Sequence, residues 1–218
     1  MNNATETKCN ACSFRIVDLF SQDSNETKNL LPFDGEVIHH GVVFNLSASE
    51  VHYQRLLSEI EWSHDQAMIF GKLIETKRKV AWYATEPLEY TYSKITKKAR
   101  LFNDLLIELK ENIEAITGES YNSCLLNLYH DGSEGMAYHS DGEPDLKKNG
   151  SIASLSFGAT RKFSFKHKIK KNRIDVLLES GSLIEMRDVT QEFWLHRLPL
   201  SKKVLTPRIN LTFRTVIK

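Results

Sequence analysis

The stretch AYHSDGEP, residues 137–144, places an imidazole and a carboxylate two residues apart, at His139 and Asp141. In an extended segment, side chains two residues apart point to the same side, so both groups can reach one metal ion. A non-haem Fe(II) site takes two imidazoles and one carboxylate on one face of the metal and leaves the other positions to substrate and dioxygen. An HxD pair also arises readily by chance, so the hypothesis needs a third ligand.

Two histidines follow the HxD pair along the chain, and either could supply the third ligand. His196 lies in the run EFWLHRLP, just before the last predicted strand, where an antiparallel fold can return to the HxD segment. His167 lies in a basic hairpin, where strand alternation groups it with Phe163 and Phe165. Position favours His196, although a lone histidine near a strand end more commonly has a structural role.

The segment PRINLTFR, residues 207–214, alternates polar and apolar residues in the pattern of a strand. Its polar residues share one face: Arg208, Asn210, Thr212 and Arg214. The apolar residues between them already supply a packed face, and buried guanidinium groups are costly without anions. We therefore predict that the polar face binds a dicarboxylate through the guanidinium groups. The alternative is that this face is exposed to solvent.

The whole chain has the composition of one globular domain, with 218 residues, 41% hydrophobic and 26% charged, and a net charge of +1. We predict a flexible arm over residues 1–30 and a single domain over residues 31–218. No apolar run can span a membrane, and the N-terminus lacks the order of a secretory signal. We expect a cytoplasmic protein, or a nuclear one in a eukaryote, with no membrane partner. Cys9 and Cys12 form a CxxC that could be half a zinc site or a redox pair.

The elements that position these residues are short. Before residue 121 the patterns predict one strand, an amphipathic helix that begins at a Ser cap, and a second amphipathic helix: residues 37–44, 47–62 and 97–116. Residues 66–93 contain short β-prone pieces, typical of a flap or hairpin. After Tyr121, about eight short strands alternate with turns, which indicates an antiparallel sandwich or barrel. The predicted fold class is α+β, mainly β, with a jelly-roll core over residues 121–218 supported by helices.

Charge is concentrated in one stretch of the predicted jelly roll. From Arg161 to Arg173 the sequence RKFSFKHKIKKNR contains seven Lys or Arg residues and no acid. Such a stretch could bind a polyanion. A solvated hairpin is the alternative.

The chain resembles the AlkB-type Fe(II)/2-oxoglutarate dioxygenases, whose core is a double-stranded β-helix, or jelly roll. The resemblance rests on NLYHDG (127–132), HSD (139–141), IASLSFGATRKFSFKHK (152–168), His196 and KVLTPRINLTFR (203–214). These motifs cover nearly the whole C-terminal half. Their order, their spacing and the RxNxTxR ending are far more specific than HxD alone.

This resemblance implies an enzyme that uses Fe(II), dioxygen and, as cosubstrate, 2-oxoglutarate. The metal ligands would be His139, Asp141 and His196. The side chains that bind the cosubstrate would be Asn127, Tyr129, Arg208, Asn210, Thr212 and Arg214.

The upstream half resembles the branch of this family that repairs duplex DNA. Residues 66–93 would form a nucleotide-recognition lid, in which Phe70 wedges into the DNA double helix and fills the gap left by a flipped base. A position in the core is the alternative for Phe70. The base would contact side chains of EYTYSK (89–94) and of the loop after HSD: Tyr90, Tyr92, Ser93 and Glu143. Phosphates would be bound by the basic stretch, through Arg161, Lys166 and Lys168.

The implied reaction is oxidative demethylation of 1-methyladenine and 3-methylcytosine in DNA, coupled to decarboxylation of 2-oxoglutarate, for direct reversal repair. The expected partner is alkylated DNA, duplex and single-stranded, and the expected state is a monomer. The nearest alternative is a demethylase or hydroxylase of RNA or tRNA in the same family. Two others are a non-enzymatic, cupin-like metal or nucleic-acid binder and a zinc module built on the CxxC pair.

Overall fold

The computed structural model describes residues 28–69, 72–92 and 95–217, with all side chains except those of 65–69, 72–74, 90–92 and 95–97. The predicted arm up to residue 27, with Cys9 and Cys12, lies outside the described residues. Phe70 and Ser93 lie outside them too, as do the side chains of Tyr90 and Tyr92.

Strands are the commonest regular element of the described chain. In chain order they are β1 (Glu36–Val42), β2 (Ser63–Ile69), β3 (Lys72–Ala84), β4 (Glu89–Tyr92), β5 (Ile95–Lys98), β6 (Arg100–Leu101), β7 (Ser123–Tyr129), β8 (Met136–His139), β9 (Ile152–Gly158), β10 (Arg161–His167), β11 (Arg173–Leu178), β12 (Ser182–Arg187), β13 (Trp194–Leu198) and β14 (Arg208–Arg214). The helices of the described chain are α1 (Leu46–Glu59), α2 (Asp104–Thr117) and the one-turn α3 (Thr190–Phe193).

The long strands form two antiparallel sheets. The larger sheet has the strand order β1-β12-β9-β14-β7-β3-β2, with β6 added in parallel beside β3. The smaller sheet has the order β11-β10-β13-β8. Eight strands, β7 to β14, lie between residues 121 and 217, a range in which every residue is described. The predicted mainly-β jelly roll is confirmed.

Strand alternation gives the larger sheet two different faces. On one face, side chains such as Leu126, Leu155 and Leu211 pack with Leu56 of α1 and Leu109 of α2 in the main core. The other face meets the smaller sheet through a second apolar cluster, which Ile184 and Met186 of the larger sheet form with Phe165 and Trp194 of the smaller one. The polar residues of β14 point to this second side. They lie between the sheets and not in solvent, since Arg208 is only 2% exposed.

Both long helices begin at an asparagine, and this corrects their predicted bounds. Asn45 caps α1 by accepting a hydrogen bond from the Ala48 N–H (2.9 Å), so the cap is not a serine. Asn103 caps α2 by accepting from the Leu106 N–H (3.0 Å). The predicted start of the second helix at residue 97 is wrong, because residues 95–98 form β5, which pairs with β4. Among the described residues, no helix combines the length and the apolar character needed to cross a bilayer.

The stretch predicted as a flap or hairpin, residues 66–93, takes part in two antiparallel pairings. β2 pairs with the long strand β3, and β3 then joins the larger sheet beside β7. Further along, β4 pairs with β5. The hairpin prediction is confirmed, and the role of residues 66–93 as a lid stays a prediction.

Candidate metal and cosubstrate site

Three potential metal ligands meet where β8 and β13 pair. The strand register sets His196 opposite His139, with the ring centroids 4.3 Å apart. Asp141 follows β8, and its Oδ1 lies 3.7 Å from His139 Nε2 and 3.9 Å from His196 Nε2. The potential ligand atoms all lie within 4.8 Å of one another. Because donors bound about 2 Å from one metal are themselves about 3–4 Å apart, this group can hold a single ion.

Hydrogen bonds and ring contacts orient both imidazoles toward the same point. His139 Nδ1 lies 2.9 Å from the Ala137 carbonyl oxygen, which can only accept, so Nδ1 carries the proton. The Nε2 lone pair is thereby left for a metal, as is usual for metal-binding histidines. The His196 ring stacks on Phe163 at 5.5 Å and is buried.

The ionisation states of the buried ligands suit a cation. Burial lowers the pKa of His196 to about 4, against the opposing attraction of Asp141, so the ring is neutral near pH 7 and its lone pair is free. Burial alone would raise the pKa of the Asp141 carboxyl. The charge of Arg214, helped by the two histidines, outweighs it, and the pKa of Asp141 lies below its ordinary value. The site therefore presents a carboxylate and a neutral imidazole.

A cavity of about 60 Å³ adjoins the three ligands, between the sheets. All six side chains predicted to bind the cosubstrate line it: Asn127, Tyr129, Arg208, Asn210, Thr212 and Arg214. They come from β7 and β14, which pair directly, with Asn210 opposite Asn127 and Arg208 opposite Tyr129. The alternation seen in the sequence therefore brings these side chains together.

The charge on Arg208 is only partly satisfied. Its Nη2 donates to Ser156 Oγ (2.8 Å) and Asn210 Oδ1 (2.7 Å), while its buried Nε has no hydrogen-bond partner. Burial lowers the pKa of the guanidinium to about 10, because the charged form is unfavourable away from water. An anionic carboxylate would supply both the missing acceptor and the missing charge, so the residues present fit 2-oxoglutarate.

Arg214 faces the metal ligands and has a carboxylate partner within the chain. Its Nη2 lies 3.0 Å from Asp141 Oδ2, and its Nε is buried without a partner. This contact fixes the Asp141 carboxylate from the side opposite the histidines. Whether Arg214 also binds a carboxylate of the cosubstrate stays a prediction.

A second pocket, of about 300 Å³, shares Arg214 with the cosubstrate cavity. Trp82, Leu125 and Glu143 line it as well, and Glu143 Oε2 is buried without a hydrogen-bond partner. The Trp82 ring is fixed by its Nε1–H, which donates to Ser123 Oγ (2.8 Å). Trp82 was not among the residues predicted from the sequence. Alternation in β3 was the available signal, because it puts Trp82 on the face opposite the buried Ala81 and Tyr83.

Arg161 is not available to bind phosphate, and this prediction is wrong. The residue is 2% exposed, and its guanidinium donates to three backbone carbonyls, those of Asp131, Glu134 and Pro199. It is the first residue of β10 and points inward with Phe163 and Phe165. Composition alone did not reveal this, because strand alternation divides the basic stretch between an inner and an outer face.

The other two residues predicted to contact phosphate lie nearer the surface. Lys166 Nζ lies 5.5 Å from the centre of the Tyr138 ring, which also has the Arg197 guanidinium 4.5 Å away. Lys168 Nζ donates to the Gln191 carbonyl (2.8 Å) and lies 3.2 Å from Ser140 Oγ. The basic stretch is a hairpin of β10 and β11, as predicted.

His167, the other candidate for the third ligand, is not near the metal site. It is buried against Phe33, Phe193 and Trp194, and its Nε2 lies 3.1 Å from Asp34 Oδ2. Within the described ranges 28–69, 72–92 and 95–217, the one group of metal-binding side chains found is that of His139, Asp141 and His196.

Comparisons with known proteins agree with this geometry. The family described as the 2OG-Fe(II) oxygenase superfamily matches residues 37–214. The chain is 34% identical over 187 residues to DNA oxidative demethylase ALKBH2 of Homo sapiens, covering 81% of this chain and 72% of that protein. It is 37% identical over 182 residues to the alpha-ketoglutarate-dependent dioxygenase alkB homolog 3 of Bos taurus, covering 79% and 63%. The solved structure of OsALKBH1 has a TM-score of 0.61 at 16% identity, over 85% of this chain and 99% of that one.

The fold, the three ligands, the buried Arg208 and the half-buried Arg214 together define an iron-dependent oxygenase site. The chain therefore belongs to the 2OG-Fe(II) oxygenase superfamily and, within it, to the AlkB family. It is an Fe(II)/2-oxoglutarate-dependent dioxygenase, and its cofactors are Fe(II), 2-oxoglutarate and dioxygen.

Proposed function

We propose that this dioxygenase removes methyl groups from N-alkylated bases in DNA, with 1-methyladenine and 3-methylcytosine as substrates. The observation that carries the proposal is the pocket of Trp82 and Glu143, which shares Arg214 with the metal site. The relatives named DNA oxidative demethylase, at 34% identity over most of the chain, support it.

The pocket has the chemistry that a methylated, cationic base requires. The indole of Trp82 offers an aromatic face, which attracts a cation. The partly buried carboxylate of Glu143 has a free oxygen that can pair with the positive charge where water is scarce. A neutral, unmodified base gains neither interaction to the same degree. Selectivity for the damaged base follows from this difference.

The metal and cosubstrate have assigned residues in this proposal. His139, Asp141 and His196 hold Fe(II), and the arginines of β14 hold the carboxylates of 2-oxoglutarate, the distal one at Arg208. When bound, these groups supply the oxidising chemistry that hydroxylates an N-methyl carbon, whose product then loses formaldehyde. The chain itself positions the base: Trp82 and Glu143 hold it beside the ligands, while the apolar wall around His196 keeps water out.

Two further parts of the proposal rest on the sequence. Tyr90, Tyr92 and Ser93 would complete the base pocket, and Phe70 would fill the gap that the flipped base leaves in a duplex. Lys166 would contact a phosphate from the outer face of the smaller sheet. Both duplex and single-stranded DNA are then substrates, and the wedge favours the duplex.

The test is turnover of matched oligonucleotides that carry one 3-methylcytosine, as duplex DNA, single-stranded DNA and single-stranded RNA. With Fe(II), ascorbate and 2-oxoglutarate, the protein should lower the mass of the oligonucleotide by about 14 units, the mass of one CH2. The reaction should stop when 2-oxoglutarate is left out, and in the variant His139→Ala. Glu143→Gln should lower kcat/KM by about tenfold, since a lost charge contact in a shielded site is worth about 1.4 kcal/mol.

Glu192→Gln is the matched control, because Glu192 is an exposed acid that pairs with Lys148 at the surface, at 3.8 Å. It should keep the wild-type rate. Turnover of the RNA strand alone would contradict the proposal for DNA and identify an RNA demethylase. Conversion of 2-oxoglutarate to succinate without any demethylation would contradict the assignment of methylated bases.

A further inference from the structure

The loop that carries Asp141 is fastened to the one-turn helix α3. The Asp141 backbone N–H donates to the side-chain oxygen Oε1 of Gln191 at 2.9 Å. The same amide group is held at its other end, where Gln191 Nε2–H points to Met186 Sδ at 3.4 Å. The amide is thus oriented with its oxygen toward Asp141.

A lysine also holds α3 and the loop that carries Asp141 together. Lys168 lies directly after β10, and its Nζ donates to the Gln191 carbonyl (2.8 Å) and lies 3.2 Å from Ser140 Oγ. Its own backbone N–H donates to the Phe193 carbonyl (2.8 Å). Lys168 therefore links two carbonyls of α3, those of Gln191 and Phe193, to Ser140, the middle residue of the HSD motif.

This junction links the two parts of the chain that supply metal ligands. His139 and Asp141 come from β8 and its loop, whereas His196 comes from β13, which begins where α3 ends. The β8–β13 ladder stops at the His196–His139 pair, so it does not fix the position of Asp141. Beyond the ladder, the Asp141 main chain is held by Gln191 and its carboxylate by Arg214.

The anchor for α3 lies on the larger sheet. Thr190 Oγ1 accepts from the Glu36 N–H (2.8 Å), which ties the helix to β1, and its one proton lies within reach of the Arg187 carbonyl (2.5 Å) and the Glu36 carbonyl (3.0 Å). Thr190 is 1% exposed. The side chain of Gln191 therefore extends from a backbone that is held in place. A side chain can position a metal ligand only if its own backbone is fixed.

We propose that Gln191 is a positioning residue for the metal site, acting through the main chain of Asp141, and that Lys168 holds Gln191 in place instead of binding phosphate. This inference rests on the ligand set of the proposed function. Residues that orient metal ligands typically change metal affinity or activity by 10- to 100-fold when they are replaced.

The test is metal affinity, measured by anaerobic titration of the metal-free protein with Co(II), whose visible absorption bands also report the ligand geometry. Gln191→Met keeps the length of the side chain but removes the acceptor, and it should weaken Co(II) binding by about tenfold or more and alter the bands. Gln191→Asn sets the oxygen one methylene too far back and should behave in the same way. Gln191→Glu keeps an oxygen in place and should restore most of the affinity.

Glu192→Gln is again the matched control, on the same helix, and should bind Co(II) as the wild type does. Lys168→Met should weaken Co(II) binding in the absence of any nucleic acid. If Lys168 were a phosphate contact, this variant would bind Co(II) normally and change only the salt dependence of DNA binding, which would overturn its part of the proposal.

Wild-type Co(II) affinity and bands in Gln191→Met, with unchanged thermal unfolding of the metal-free protein, would overturn the role of Gln191. The role of Gln191 would also be overturned if Gln191→Glu bound Co(II) as weakly as Gln191→Met does. Asp141→Ala separates this failure from that of the proposed function, because it should lose Co(II) binding altogether. Retention of Co(II) by Asp141→Ala would overturn the ligand set and the inference together.

Discussion

At the scale of single residues, Arg208 shows how the site is maintained at the expense of stability. The residue is a fully buried cation whose hydrogen bonds go to neutral groups, and its Nε has no partner. Such a group is unfavourable until an anion arrives. We therefore expect Arg208→Met to leave the free energy of unfolding of the ligand-free protein equal or higher.

The same variant should lose at least about 30-fold in affinity for 2-oxoglutarate, since truncating a buried charge contact costs about 2 kcal/mol or more. Thermal unfolding with and without 2-oxoglutarate measures both effects, because a ligand that binds the native state raises the midpoint. Arg208→Lys, which keeps the charge but not the planar fork, serves as the comparison. Clear destabilisation of ligand-free Arg208→Met would contradict the argument.

The residues of the site differ in how far the sequence could reveal them. His139, Asp141 and the alternating residues of β14 were predictable, because a local spacing of two fixes which side chains share a face. Gln191 gave no such signal, since its role depends on the meeting of α3 with a loop fifty residues away in the chain. Arg161 was misassigned because its three acceptors are backbone carbonyls of distant loops, which a count of charges does not show.

At the scale of elements, the helices show what determines a boundary. The apolar pattern located both long helices, but the asparagine caps set where they begin. We expect Asn103→Ala to lower the free energy of unfolding by about 1 kcal/mol, because the cap satisfies the Leu106 N–H at the start of α2. Urea denaturation measures this loss.

Asn112→Ala is the matched control on the same helix. Asn112 is exposed, and its side chain donates only to the Glu108 carbonyl (2.8 Å), a group already used within the helix. Alanine has the higher helix propensity, so this variant should be neutral or slightly more stable. Equal losses in both variants would show that Asn103 does not act as a cap.

At the scale of the whole molecule, the site depends on the meeting of two sheets. The larger sheet supplies the arginines through β14, and the smaller sheet supplies the metal ligands through β8 and β13. Mainly-β architecture and the return of the His196 segment to the HxD segment were predictable from the sequence, whereas the register that pairs β13 with both β10 and β8 was not. Long-range pairings depend on the packing of all strands at once, and no local pattern encodes them.

Arg161 ties together two loops at one end of the two sheets. Its guanidinium holds the β7–β8 loop through Asp131 and Glu134, and the segment after β13 through Pro199. We expect Arg161→Met to lower the free energy of unfolding by about 3 kcal/mol, because the partly buried carbonyls of Glu134 and Pro199 lose the donor that Arg161 supplies. Urea denaturation of the variant beside Lys162→Met tests this, since Lys162 is exposed and pairs with Asp175 at the surface.

The salt dependence of DNA binding then distinguishes the structural role of Arg161 from the phosphate contact that its charge suggested. A lost phosphate contact would reduce the slope of log K against log salt concentration by about 0.9. Because Arg161 is buried and donates to three backbone carbonyls, the slope should be unchanged in Arg161→Met. A stable variant with a reduced slope would mean that the guanidinium leaves its carbonyl partners to meet the nucleic acid, and the loops that it ties would then have to open on binding.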